Sequence, residues 1–129
     1  MHKILIFSFF ISFACTTVNA QKTAADHFRY GYEMYLKNEP QKALEHFNTS
    51  IEMDAEPPNV FFIRATTKML LKDYDGAVAD YQAALDKGYA NKHLGYKYMG
   101  EACLLNGKKE EAEKYLKEAE KHKPSIPEE

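Results

Sequence analysis

The chain is poor in the residues from which reactive sites are usually built. It has two cysteines, six glycines and no tryptophan in 129 residues. Two cysteines make no disulfide framework. Cys103 sits in the apolar stretch Ala102-Cys103-Leu104-Leu105, where a lone thiol acts as a small buried hydrophobe. An excess of positive charge is missing too. With 17 Lys and Arg against 19 Asp and Glu the net charge is −2, and no basic face of the kind nucleic acid requires is evident. There is no Gly-rich phosphate loop, no G-x-S-x-G and no carboxylate pair in an apolar surround. The five histidines (His2, His27, His46, His93, His122) form no HExxH or other metal-ligand spacing on one helical face, and His27 and His46 read as packing residues. No enzyme, cofactor, metal or small-molecule substrate is therefore expected.

Long apolar runs are absent with one exception. Ile4–Ala14 is eleven apolar or small residues preceded by Lys3. As a helix it would rise about 17 Å, short of the roughly 30 Å hydrocarbon core of a membrane. One charge, a short apolar core and the small-x-small triplet Val18-Asn19-Ala20 read as a secretory signal over residues 1–20, cut near Ala20. The expected location is periplasmic or secreted. The alternative treats Cys15 as the lipidated cysteine of a degenerate bacterial lipoprotein box, which would anchor the chain to a membrane; Phe13 departs from that pattern.

Beyond Ala20 the dominant pattern is internal repetition. Ala24–Pro57, Pro58–Asn91 and His93–Ile126 align, leaving 127–129 as a tail to the domain 21–126. Ala43 and Ala77 are 34 residues apart, Ala77 and Ala112 35 apart. In each unit one small residue recurs in the first half (Gly31, Ala65, Gly100) and two in the second (Ala43, Ala77, Ala112, then Ser50, Ala84, Ala119). Gly, Ala and Ser are only 25 of the 129 residues, so their filling every one of these slots is not chance. Two antiparallel helices approach most closely where side chains are small, and longer groups there would overpack the crossing. Phe47, Tyr81 and Leu116 fill the gap one turn along. Asn38 and Gly107 fall where a first helix must end in a left-handed residue, and Pro40 suits the first turn of the next helix. The middle unit has Lys72 in the left-handed slot, followed by Asp73 as an N-cap. Arg64 and Lys68 replace the Leu and Tyr usual at these places in the repeat family that this period resembles, which implies looser packing of that unit's first helix. The last helix, with Glu110–Lys114 and Glu113–Lys117 four apart, is expected to serve as its own polar cap.

These residues and this period resemble the tetratricopeptide repeat, whose pattern runs through a bulky residue, a small residue, Ala-x-x-x-Phe and a closing proline. The bulky slot here holds His27, Phe61 and Tyr96; the proline slot holds Ala55, Tyr89 and Pro124. The resemblance implies an all-α fold, a right-handed superhelix of antiparallel helix pairs with three repeats and six helices. It also implies a concave groove lined by the first helix of each unit and used to hold a partner protein or peptide. Carried over by spacing, the groove residues are Phe28, Arg29, Tyr32 and Tyr35, then Asn59, Phe62, Ile63, Thr66 and Met69, then Leu94, Lys97, Tyr98 and Glu101. The family's best-known groove clamps a chaperone's terminal carboxylate with Lys, Asn and Arg. Phe28, Tyr32, Ile63, Leu94 and Tyr98 do not suit that clamp. The expected function is an adapter of the bacterial envelope or periplasm, with a self-associating structural component (a homo-oligomer) or a lipid-anchored envelope assembly factor as the alternative.

Overall fold

A computed structural model of the chain describes residues 20–125. The apolar run Ile4–Ala14, Cys15, His2 and the tail from Ile126 lie outside the described residues.

Six helices and no strand make up the described residues: α1 (Ala24–Leu36), α2 (Pro40–Met53), α3 (Pro58–Leu70), α4 (Tyr74–Asp86), α5 (Lys92–Leu105) and α6 (Lys109–Lys121). Local chemistry sets their ends. Thr23 and Asp26 form a capping box at the start of α1, and the Asp73 and Asn91 side chains accept from Gly76 and Leu94 amides. Pro40 and Pro58 each open a helix, where a missing N–H costs nothing. At the far ends of α1, α3, α4 and α5 the chain turns through Asn38, Lys72, Gly88 and Gly107, all at positive φ. The amides of Glu39, Asp73, Tyr89 and Lys108 then reach back to the carbonyls of Met34, Lys68, Ala84 and Cys103, closing four Schellman turns. Lys72 takes φ 62 although it is neither Gly nor Asn. That strain, on the order of 1 kcal/mol, is imposed by the repeat register.

Consecutive helices pack as the antiparallel pairs α1/α2, α3/α4 and α5/α6, and adjoining pairs meet through α2/α3 and α4/α5. The small-residue slots are the crossings. Ala43, Ala65, Ala77, Ala84 and Ala112 are completely inaccessible; Gly31, Ser50, Gly100 and Ala119 are also buried. A Cβ placed on Gly31 would stand 2.7 Å from the Phe47 ring, and one on Gly100 equally close to Leu116. Phe47 and Tyr81 are the largest fully buried side chains.

The expectation of a loose middle unit is corrected. Val60, Phe61, Phe62, Ala65 and Thr67 make α3 as well buried as any helix here, and the main core cluster is centred on this unit. The two unexpected cations have a buried counterion on the neighbouring helix. Arg64 donates to both oxygens of Asp80 at 2.7 Å, Lys68 lies 2.9 Å from the same carboxylate, and a further Arg64 nitrogen donates to Asn48 on α2 at 2.9 Å. An ion network replaces apolar packing at this point.

The terminal faces differ from the internal ones. Between units, Ile51 and Leu85 meet the following pair; Leu85 lies against Gly95. The equivalent slot on α6 is Glu120, and those of Val78 and Gln82 become Glu113 and Lys117. On α1 the slots of buried Val60 and Thr67 are taken by Asp26 and Glu33. At these slots both terminal faces carry charged residues in place of the uncharged ones that seat one pair on the next. Charged side chains at and just past the end of α6 pair three residues apart, Lys121 with Glu118 and Lys123 with Glu120, in place of the expected four-residue pairs.

Candidate functional site

The first helices of the pairs present a shared aromatic face. Residues spaced by four on α1 and three or four on α3 bring Phe28, Tyr32, Asn59, Phe62 and Ile63 around one cavity of about 300 Å³. A sixth wall residue, Tyr89, comes from the turn after α4. Its ring stacks on Phe62 with centroids 4.2 Å apart and planes 14° from parallel. Sequence reasoning placed Tyr89 in the closing-proline slot and did not count it among the groove residues. An aromatic in a slot that holds Ala55 and Pro124 elsewhere was the available signal.

Within the wall the residues divide by burial. Phe62 is 7% exposed and wedged among Tyr81, Tyr89 and Tyr98, so it supports the cavity more than it offers contact area. Tyr32 is 41% exposed and Asn59 is also open to solvent, which puts both where a bound group would touch them. Phe28 rests on Phe47 and stacks along Tyr32, and Tyr32 in turn along Tyr35, at centroid separations of 5.9, 6.3 and 6.2 Å. Phe28 and Asn59 are shared with a second cavity of about 190 Å³ that runs under the α2–α3 connection, past Ser50, Asp54 and Pro57. Sharing these two walls, the cavities adjoin as one mainly apolar channel.

The other residues expected in the groove lie beyond this cavity. Arg29 pairs with Asp26 and covers the Tyr30 ring. Met69, Leu94 and Tyr98 pack on the central core. Lys97 and Glu101 face each other at 3.8 Å near the third unit's end of the surface. Thr66 bonds the Tyr81 hydroxyl at 3.0 Å, and burial pushes that phenol strongly upward, so it stays neutral. Burial also raises the Cys103 thiol, which keeps it unreactive. Across the described residues the ionised groups stand in pairs or in solvent, and no three His, Cys, Asp or Glu side chains converge on a point.

What this arrangement can do is bind apolar or aromatic side chains in a shallow, half-open channel with an amide at its rim.

No family model matches the chain. Over 81 residues it is 28% identical to an NADPH oxidase activator of Dictyostelium discoideum, an alignment that takes in 62% of this chain and 13% of that much longer protein. Solved structures share its architecture. MamA superposes with TM-score 0.72 at 19% identity, covering 78% of this chain and 58% of MamA. The second TPR of Spaghetti (RPAP3), bound to the HSP90 peptide SRMEEVD, superposes at 0.70 and 18% identity over 79% of this chain and 94% of that one. A chain of the CopN–Scc3 complex does so at 0.75 and 17% over 91% and 75%. Six helices in three antiparallel pairs, superposing on these proteins, are the tetratricopeptide-repeat fold.

Proposed function

We propose that this chain is an interaction module that holds a segment of a partner protein against the aromatic face of α1 and α3, and that it works outside the cytoplasm. The observation that carries the reading is the channel itself: a stacked aromatic wall, fixed from behind by Phe47 and Tyr81, with exposed Tyr32 and Asn59 at its mouth. Tyrosine is favoured at protein contacts because it buries much area for little rotamer entropy. The similar folds in complex with the HSP90 peptide and in the CopN–Scc3 complex support a binding role for this architecture. The aromatic wall suits apolar side chains better than a terminal carboxylate.

The test separates the face from the fold. Tyr32→Ser/Asn59→Ala changes two solvent-exposed residues and should leave the circular dichroism unaltered and the protein folded at the binding temperature, with the melting midpoint lowered by only a few degrees through the lost Tyr32 stacking. Captured from an envelope fraction, the partner should fall at least about tenfold relative to the unaltered protein, since one hot-spot tyrosine is worth roughly 2 kcal/mol. Equal recovery by both proteins would move the binding site elsewhere.

Work outside the cytoplasm rests on the leader-like residues 1–20. The mass of the mature protein should correspond to a chain starting at Gln21. A lipid-modified Cys15 would instead attach the module to a membrane, and a retained Met1 would refute export.

A further inference from the structure

We infer that His27 and His46 form a two-imidazole seat for a divalent transition metal, with zinc the best match, that ties α1 to α2. Their Nδ1 atoms stand 3.3 Å apart, with ring centroids 5.5 Å apart and planes at 39°. Zinc binds imidazole nitrogen at about 2.0–2.1 Å in tetrahedral geometry, which separates two such ligands by about 3.3–3.4 Å. The gap already has the width of a coordinated pair. As an N–H···N hydrogen bond it is long, and a modest rotation of each ring would aim both lone pairs at one point.

Packing alone does not ask for imidazoles here. The same two slots hold Phe61 and Asp80 in the second unit and Tyr96 and Tyr115 in the third. The other described histidines are differently engaged: His93 Nδ1 meets the Ala119 carbonyl at 2.8 Å, and His122 stacks on Tyr96. Both rings of the pair are half-buried, so solvent reaches them. With two protein ligands the remaining positions belong to water, making an exchangeable site and not a four-ligand structural one. Tyr30 packs on His46, and the Lys22 and Arg29 cations over its ring hold the affinity down. A metal here would pin α1, the helix whose Phe28 and Tyr32 form one wall of the channel.

Thermal unfolding of the full chain, first in metal-free buffer and then with zinc chloride in excess, tests the site. The midpoint should rise by roughly 5 °C, because a ligand that binds only the folded state stabilises it. EDTA should reverse the rise, magnesium should not produce it, and calorimetry should show one zinc per chain. His27→Gln and His46→Gln should each abolish the effect, and His122→Gln should keep it. If a glutamine variant is unfolded without metal, His27→Tyr/His46→Tyr, which copies the third unit, serves in its place. No zinc-dependent rise in the unaltered chain, or the same rise in the double variant, overturns the inference.

Discussion

Asp80→Ala should cost about 3–5 kcal/mol of folding free energy, a large part of what a domain of this size has to lose. The reason is the company the carboxylate keeps. It is 7% exposed, and the Arg64 and Lys68 side chains that converge on it are each 17% exposed. Removing it leaves two mostly buried cations without the carboxylate that neutralises them. Asn48 satisfies one Arg64 nitrogen and cannot neutralise either charge. Replacing all three members together, as in Arg64→Met/Lys68→Met/Asp80→Leu, should cost far less than the single change, because no uncompensated charge then remains. Urea unfolding of the two variants makes the comparison. If Asp80→Ala loses under about 1 kcal/mol, the cations escape to solvent and the network is ornamental.

The second large effect lies at the crossing of the first pair. Phe47 is fully buried against Gly31 and Phe28, and Phe47→Ala should destabilise by about 3–5 kcal/mol through lost burial and the cavity left behind. Gly31→Ala tests the same contact from the other side. Alanine is a better helix former than glycine by about 1 kcal/mol. Its methyl, however, would stand 2.7 and 2.8 Å from two carbons of a ring that has little room to move. Overpacking should win in the unaltered protein, with a net cost of roughly 1–2 kcal/mol. In the Phe47→Ala background the ring is gone and the substitution should become nearly neutral, with the Ala43 carbonyl at 3.2 Å the nearest remaining contact. A double-mutant cycle should therefore give a coupling above about 1 kcal/mol. Simple additivity would mean that the crossing relaxes freely.

Both sites show how far a sequence can be read. Gly31 and Phe47 were legible because the constraint is local and recurs: the same backbone approach is made three times, and each unit reports it again. The left-handed turns at Asn38 and Gly107 were legible for the same reason, and register alone put Lys72 in the corresponding strained position; the turn at Gly88, after a second helix, was not read. Arg64 and Lys68 were misread because their partner is not local. Asp80 lies 16 and 12 residues further along, on another helix, and Asn48 lies on a third. Single-unit comparison sees two cations in apolar slots and infers loose packing; only the assembled pairs show the charge they surround. Phe62 and Tyr89 illustrate a subtler limit. Spacing counts Phe62 among the inner-face residues, but its burial is decided by Tyr89 arriving from a connecting turn and stacking over it. The hydrogen-bonding distance between His27 and His46 likewise depends on the rotation of one helix against the other, a few ångströms that no repeat pattern encodes.

The charged terminal faces carry a consequence for how such a molecule could be lengthened, by evolution or by design. A fourth unit appended after α6 would have to lay its apolar face on Glu113, Lys117 and Glu120, and one placed before α1 would meet Asp26 and Glu33. A duplicate of the middle segment, residues 58–91, inserted between the second and third units finds apolar surface on both sides. Leu85 of the original copy would receive the Val60 and Thr67 face of the duplicate, and the duplicate's own Leu85 would receive Gly95. Growth of this array is therefore favoured from within, and its two ends are inherited unchanged.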